Sequence, residues 1–153
     1  MLDKDAREDR GWRTGFLLRQ AYTRLTTQSN DILGVYLGLT LTQWLALDVI
    51  CGDGPKTAGG IAEQGDLDKG LLSRALKSLE EHELIVIEAN PEDRRERLVA
   101  LTEKGRAIHY EARRLMKIRN DEVIAELDES DLAVLLRGLE AVSKAATKRE
   151  FDF

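Results

Sequence analysis

The chain has 153 residues, of which 42% are hydrophobic and 33% charged, and its formal net charge is -5. This length suits a single domain with its own core, and no stretch has the roughly 18 uncharged apolar residues that a membrane helix needs. The charged N-terminus has no apolar segment of a secretory signal, and a lone cysteine, Cys51, excludes an internal disulfide. We therefore expect one cytoplasmic domain over residues 1–153 without membrane association.

The first third of the chain predicts two helices. Apolar residues recur at helical spacing from Trp12 to about Asn30. The sequence TLTQ then places Thr40 at an N-cap and Gln43 three residues later, which is the pattern of a capping box. The second helix ends at the sequence GDGP, and we expect a loop from Cys51 to Gly60.

Two shorter helices follow, and the second has two different faces. Thr57 and Asp68 are suitable N-cap residues for them. Spacing of i, i+3, i+4 and i+7 predicts one buried face, made of Leu72, Ala75, Leu76 and Leu79. The opposite face is small, polar and cationic, and consists of Lys69, Gly70, Ser73, Arg74 and Lys77.

A β-hairpin and two further helices complete the chain. Branched residues predict strands from Ile85 to Asn90 and from Arg97 to Thr102, joined by PEDRRE. Thr102 is a suitable N-cap for a helix to about Leu127, and a last helix is expected from Ser130 to about Arg149. This order predicts a mainly α fold with a small β-hairpin wing, in which residues 40–102 form a winged helix-turn-helix. The flanking helices, residues 12–35 and 103–149, carry apolar surface that predicts a dimer interface.

Three segments of this sequence together resemble the MarR family of bacterial transcription regulators. They are GLTLTQWLALDVI, IAEQGDLDKGLLSRALKSLEEHELI and NPEDRRERLVALTEKG. The wing pattern of the family is Asp-x-Arg, five residues, then Leu-Thr-x-x-Gly, and it occurs here as Asp93, Arg95, Leu101, Thr102 and Gly105. The resemblance implies a homodimer that binds pseudo-palindromic operators in double-stranded DNA, usually as a repressor. It also implies that a small phenolic or other aromatic acid can release the DNA.

The chain departs from the family at four glycines. Gly65 stands where a leucine is frequent, and Gly59 and Gly60 stand where a polar residue and a glutamate are common. Each glycine inside a helix weakens it by about 1 kcal/mol. Gly70 stands where a serine or threonine often faces DNA, so one DNA contact is missing.

The resemblance assigns DNA contacts to the wing. A recognition helix fits the major groove, and a narrow minor groove attracts an inserted arginine. By resemblance Arg95 is the inserting residue and Asp93 orients its guanidinium, while Arg94 and Arg97 contact phosphates or form salt bridges. The alternative is a solvated hairpin tip, in which these arginines pair with Glu92, Asp93 and Glu96.

The second of the two shorter helices, which by resemblance is the recognition helix, supplies further candidates. Ser73 and Arg74 are suited to base edges or phosphates, and Lys69 and Lys77 to phosphates, which add affinity without sequence preference. The alternative for each is an exposed helix charge with no ligand.

Four aromatic residues are candidates for an effector pocket, namely Trp12, Phe16, Tyr36 and Trp44. Aromatic residues at helical spacing belong more often to a core or an interface than to a ligand site, so that alternative stays open.

The remaining chemistry-bearing residues predict neither catalysis nor a cofactor. His82 and His109 have no companion at the spacing of metal ligands, so we expect no metal site. Cys51 raises an oxidation-sensor hypothesis, whose alternative is a small buried or semi-buried hydrophobe. No nucleophile has a base partner and no glycine loop is suited to a phosphate, so we expect no enzyme.

A second function stays open at this point. A winged helix can also act as a protein-protein interaction module without DNA binding. The acidic net charge and Gly70 favour that alternative.

Overall fold

The computed structural model describes the backbone of residues 2–147 and the side chains of residues 9–147. Within that range the chain forms helices and a small sheet, as the mainly α prediction states. The helices are α1 (Leu2–Leu37), α2 (Leu41–Asp53), α3 (Ala58–Gln64), α4 (Lys69–Glu81), α5 (Glu103–Ile124) and α6 (Glu129–Ala146). The strands are β1 (Lys56–Thr57), β2 (Ile85–Ala89) and β3 (Arg97–Leu101).

Helix α1 is longer than its apolar pattern indicates, because it begins at Leu2 rather than at Trp12. The added residues are mostly charged and have no apolar stripe, so the pattern did not include them. The helix ends at Gly38, whose φ of 66° is a left-handed conformation that favours glycine. There the N–H of Leu39 donates to the carbonyl of Leu33 at 3.2 Å.

Helix α2 begins with the predicted capping box. The hydroxyl of Thr40 accepts the N–H of Gln43 at 3.2 Å, and the side-chain carbonyl of Gln43 accepts the N–H of Thr40 at 2.7 Å. The predicted loop from Cys51 to Gly60 is wrong in part. Helix α2 continues to Asp53, and β1 follows at Lys56 because it pairs with β3, a long-range contact that no local pattern reveals.

The sheet is antiparallel, with the strand order β1-β3-β2. The predicted hairpin is confirmed, each strand being one residue shorter at its C-terminal end, and Ile85 lies opposite Leu101. The third strand, β1, was not predicted. Its second residue, Thr57, also caps α3 as expected, since its hydroxyl accepts the N–H of Gly60 at 3.1 Å.

The core of the winged helix is aliphatic and lies between the sheet and helices α2, α3 and α4. The predicted buried face of α4 is confirmed, and its four residues are buried. Burying a large aliphatic side chain stabilises a fold by about 1.5–3 kcal/mol. The most completely buried side chains of this region are Leu47, Ile50, Ile61, Leu72, Leu79, Ile85 and Val99.

The chain divides into two compact units between Leu115 and Met116, within α5. In the second unit, α6 begins one residue before the predicted Ser130, and Asp128 caps it by accepting the N–H of Asp131 at 2.8 Å. None of the residues of α6 is fully buried. Its apolar stripe is exposed and consists of Val134, Leu135, Leu136, Leu139 and Val142.

Within the described residues no single helix has both the length and the apolar composition of a membrane span. Taken together, residues 9–37 and α2 have the length and apolar composition of a span, but the two helices are bent by 80° relative to each other.

Candidate nucleic-acid interface

The tip of the hairpin, residues 90–97 and called the wing tip below, is held by its own polar side chains. The carboxylate of Asp93 accepts the backbone N–H of Arg95 at 2.9 Å. The side-chain carbonyl of Asn90 accepts the N–H of Glu92 at 3.0 Å. Such side-chain contacts two residues along the chain imitate a backbone turn, so they fix the path of the wing tip without a packed core.

Two cations of the wing tip have no partner within residues 9–147. The guanidinium groups of Arg94 and Arg95 are exposed and form neither an ion pair nor a hydrogen bond there. Glu96 instead accepts the side-chain N–H of Asn90 at 3.1 Å. Neither arginine therefore pairs with the acids of the wing tip among residues 9–147, while their exposure fits a solvated tip as well as a DNA contact. The structure shows Asp93 bonded to the backbone of Arg95 and not to its guanidinium.

Arg97 differs from its two neighbours, because its guanidinium donates to the carbonyl of Ile87 at 2.9 Å. The backbone bonds from Asn90 to Glu96 and from Thr102 to Leu84 set the ladder. In that ladder Ile87 belongs to the alternate set whose backbone groups point away from β3. Arg97 thus satisfies an acceptor on the open edge of β2, so at least one of its nitrogens serves the fold.

The base of the hairpin, residues 82–85 and 101–105 and called the wing base below, is packed and bonded. The hydroxyl of Thr102 donates to the carbonyl of Glu83 at 2.8 Å and accepts the N–H of Gly105 at 2.9 Å, so Thr102 caps α5 as predicted. A Cβ atom on Gly105 would lie 1.9 Å from the carbonyl oxygen of Leu84. Glycine is required there because α5 packs directly against the backbone of Leu84.

The recognition helix α4 presents the predicted polar face to solvent. Asp68 caps it by accepting the N–H of Leu71 at 2.8 Å. Lys77 lies 3.9 Å from Glu81, an exposed pair that contributes only about 0.3–0.5 kcal/mol. Lys69, Ser73 and Arg74 are exposed.

A cleft of about 450 Å³ lies between the start of α3, helix α4 and the sheet. Its floor is apolar, and Leu72, Leu76 and Val99 contribute to it. Half of the predicted DNA contacts line this cleft, namely Lys69, Ser73, Lys77 and Arg97. The other half, Arg74, Asp93, Arg94 and Arg95, lie outside it.

Two of the unusual glycines have local explanations. A Cβ atom on Gly65 would lie 3.0 Å from the carbonyl of Ile61 and 3.0 Å from the side chain of Leu67, so the turn between α3 and α4 is crowded. A Cβ atom on Gly70 would lie 3.2 Å from the Asp68 carboxylate that caps α4.

The four aromatic candidates do not line one pocket within a single chain. Trp12 and Phe16 stack with ring centroids 5.6 Å apart, and the guanidinium of Arg19 lies 5.5 Å from the centre of the Phe16 ring. Tyr36 lies 20 residues further along α1, a distance of about 30 Å at 1.5 Å per residue. Trp44 belongs to α2, and its indole Nε1 is buried without a hydrogen-bond partner among the described residues.

The remaining titratable candidates have other surroundings than the sequence indicated. Cys51 is exposed, which corrects the expectation of a buried or semi-buried thiol. His109 is buried, and its Nε2 lies 2.8 Å from a carboxylate oxygen of Asp48, a link between α2 and α5 that the sequence did not reveal. Among the residues that the structure describes, no three His, Cys, Asp or Glu side chains could hold a metal ion.

Comparison with known proteins identifies relatives of this chain. The sequence model of the MarR family matches residues 37–96. The chain is 32% identical over 129 residues to the HTH-type transcriptional regulator SarZ of Staphylococcus aureus. The matched region covers 80% of this chain and 87% of SarZ. It is 34% identical over 97 residues to the organic hydroperoxide resistance transcriptional regulator of Bacillus subtilis, 63% of this chain. That match spans 65% of the Bacillus protein, and another Staphylococcus aureus regulator is matched over 58% of its length.

A solved structure has the same fold. The apo form of wild-type MarR from Escherichia coli superposes with a TM-score of 0.70 and 26% sequence identity. The superposition covers 84% of this chain and 95% of that chain.

Proposed function

Because this chain belongs to the MarR family of transcriptional regulators, which are not enzymes, we propose that it acts as a homodimeric repressor of pseudo-palindromic operators. The observation that carries the proposal is a pair of exposed cations, Arg94 and Arg95, that have no partner among the described residues and lie on a wing tip in the same compact unit as α4.

Exposed cations at the end of a hairpin suit a narrow minor groove. Such a groove concentrates negative potential and attracts an arginine side chain. Arg95 is proposed to enter the groove, and Arg94 to contact a phosphate. The polar face of α4 is proposed to lie in the adjacent major groove, with Ser73 and Arg74 toward base edges and Lys69 and Lys77 toward phosphates.

The winged helix itself is acidic, which bears on this proposal. Residues 40–102 contain twelve acidic and seven basic side chains, a net charge of -5. Three of these acids have partners within the chain: Asp48 bonds to His109, Asp53 pairs with Lys56, and Asp68 caps α4. The wing tip itself carries three arginines and three acids, a sum of zero. The exposed guanidinium groups of Arg94 and Arg95 are therefore proposed to act on DNA as individual cations despite the negative sum of the winged helix.

The same acidity favours a second candidate, a winged-helix interaction module without DNA binding. The two candidates differ in their response to salt. Binding to phosphates releases counterions, so affinity must fall steeply as salt rises. A module that binds only a protein partner should show no such salt-dependent binding to DNA.

The decisive experiment is fluorescence-anisotropy titration of a duplex from the region upstream of the protein's own gene, over a salt series, with a scrambled duplex as control. Tight, salt-sensitive binding that prefers the native duplex supports the repressor. If the protein shows no preference for the native duplex, a selection from random duplexes is the second measurement. Absence of any selected duplex favours the interaction module.

Dimerisation is proposed from the exposed apolar side chains of α1 and α6. Each of these helices exposes several large apolar side chains, which in soluble proteins often mark an interaction surface, and a two-fold dimer suits a two-fold operator. A second copy of the chain is therefore the proposed occupant of these faces. Sedimentation equilibrium should give twice the chain mass of 17.2 kDa. The variant Leu136→Glu should shift the mass toward the monomer, because it places a charge in the apolar stripe of α6.

Release by a small aromatic acid is proposed around Trp44 rather than around all four aromatic candidates. A buried donor without a partner is rare and suggests a water or a ligand acceptor. The chain has two tryptophans, so the variant Trp12→Phe leaves Trp44 as the only indole reporter. Titration with 4-hydroxybenzoate should change the Trp44 emission and release bound DNA, and the absence of both effects contradicts an aromatic-acid effector at this position.

A further inference from the structure

One buried amide connects two helices of the winged helix. Gln43, at the start of α2, is only 8% exposed. Its carbonyl oxygen accepts the N–H of Thr40 within the capping box. Its amide nitrogen donates to the hydroxyl of Ser78 at 3.0 Å. Because both ends of the amide are bonded, the side chain holds a defined position between the two helices.

The partner of this amide lies on the recognition helix. Ser78 follows Lys77 directly and stands four residues after Arg74. It is half-buried, whereas Arg74 and Lys77 are exposed. Because Ser78 lies one helical turn after Arg74, the bond restrains α4 at the edge of its polar face, next to Arg74.

The start of α2 is in turn bonded to α1. The side-chain carbonyl of Asn30 accepts the N–H of Leu41 at 2.9 Å, and the Asn30 amide nitrogen donates to the carbonyl of Thr26 at 2.9 Å. Hydrogen bonds thus connect α1 to the first turn of α2, and that turn to α4. These bonds fix the recognition helix relative to a helix that is proposed to form the dimer.

We infer that Gln43 is a positioning residue for base recognition, acting through Ser78 on the placement of α4. This inference rests on the proposed DNA-binding function. Contacts to base edges need correct placement within about 0.5 Å, whereas phosphate contacts by long cationic side chains tolerate more movement. Loss of the bond should therefore lower sequence preference more than it lowers affinity for any duplex.

The test measures one ratio, the affinity for the preferred duplex divided by that for a scrambled duplex, at one salt concentration. In Ser78→Ala the amide of Gln43 keeps its capping contact and loses only its partner on α4. We expect the ratio to fall roughly tenfold, which corresponds to the loss of one base contact that contributes about 1.4 kcal/mol. Affinity for the scrambled duplex should stay within about twofold, because the cations are unchanged.

Two further variants separate positioning from a general loss of structure. In Gln43→Glu a carboxylate can accept both the Thr40 N–H and the Ser78 hydroxyl, so the ratio should stay near that of the wild type. Gln43→Met removes both bonds and should lower the ratio at least as far as Ser78→Ala does. The double variant Gln43→Met with Ser78→Ala should be no worse than Gln43→Met alone, because the two residues act as one pair. The matched control is Ser130→Ala, which deletes a hydroxyl on α6 that donates to the Asp128 carboxylate and should leave the ratio unchanged.

The outcomes distinguish this inference from the proposed function. A wild type that prefers no duplex overturns both. A wild type with a clear preference, together with a Ser78→Ala variant that melts earlier but keeps the wild-type ratio, overturns the positioning role alone. A Gln43→Glu variant that loses preference as fully as Gln43→Met also overturns it, because the Ser78 bond would then be irrelevant.

Discussion

The wing tip and the wing base belong to one sequence pattern but have different physical roles. At the base, Thr102 forms two hydrogen bonds and Gly105 allows a helix to contact the backbone of Leu84. At the tip, Asp93 organises a turn and the guanidinium groups of Arg94 and Arg95 have no partner in the described part of the chain. The Leu-Thr-x-x-Gly half of the pattern therefore builds the wing, and the Asp-x-Arg half presents exposed charge.

The largest expected effect lies at the wing base and concerns stability. Gly105→Ala places a Cβ atom where the carbonyl oxygen of Leu84 would be 1.9 Å away, so strand or helix must move. We expect a loss of about 3 kcal/mol, or roughly 6–12 °C in melting temperature for a chain of this size. Thermal unfolding followed by circular dichroism measures it.

The control for that prediction is another glycine-to-alanine change. Gly59→Ala lies in α3, where the new Cβ atom would meet the Thr57 hydroxyl oxygen at 3.9 Å, an ordinary van der Waals distance. It should stabilise the chain by about 0.4–1 kcal/mol. Equal melting temperatures for the two variants would contradict the role assigned to Gly105.

The second effect lies at the wing tip and concerns affinity. Arg95→Ala should weaken operator binding by about 1–3 kcal/mol, roughly 5- to 150-fold in Kd. The melting temperature should not change, because the guanidinium has no partner in the described residues. Fluorescence anisotropy with the preferred duplex measures the affinity. Unchanged affinity would rule out Arg95 as a DNA contact.

The contrast between tip and base also shows what the sequence can predict. Local signals predicted the caps at Thr40, Thr57, Asp68 and Thr102 correctly, because an N-cap depends on residues three positions apart. Strand β1 was missed because its two residues become a strand only by pairing with β3, some 40 residues later. Local pattern carries no information about such a partner.

The candidate site shows the same limit. Charge and spacing identified the arginines of the wing tip and the family pattern singled out Arg95, but nothing in the sequence separated Arg97 from Arg94. The difference arises from the register of the hairpin, which brings the carbonyl of Ile87 within reach of Arg97 alone. The link from Gln43 to Ser78 spans 35 positions and was equally invisible.

A third, smaller effect tests Arg97, which belongs to the tip by position and to the base by function. Arg97→Ala removes a hydrogen bond to the carbonyl of Ile87. We expect a loss of stability of about 0.5–1.5 kcal/mol, whereas Arg94→Ala, the matched control, should leave the melting temperature unchanged. Thermal unfolding of both variants decides the point. Equal melting temperatures would place Arg97 with the free cations.

The smallest effect separates two roles for Asp93. The carboxylate accepts the backbone N–H of Arg95 at 2.9 Å, and the side-chain carbonyl of asparagine can accept the same bond. Asp93→Asn should therefore change stability by less than about 0.5 kcal/mol. Operator affinity should stay the same or rise by up to roughly twofold, because one negative charge is removed from a surface proposed to face phosphates.

If Asp93→Asn weakens binding as much as Arg95→Ala does, the charge of Asp93 orients the guanidinium in the complex, as the family resemblance implies. Asp93→Ala removes both the charge and the turn contact. Retained affinity in Asp93→Asn with a loss in Asp93→Ala would assign the role of Asp93 to the turn.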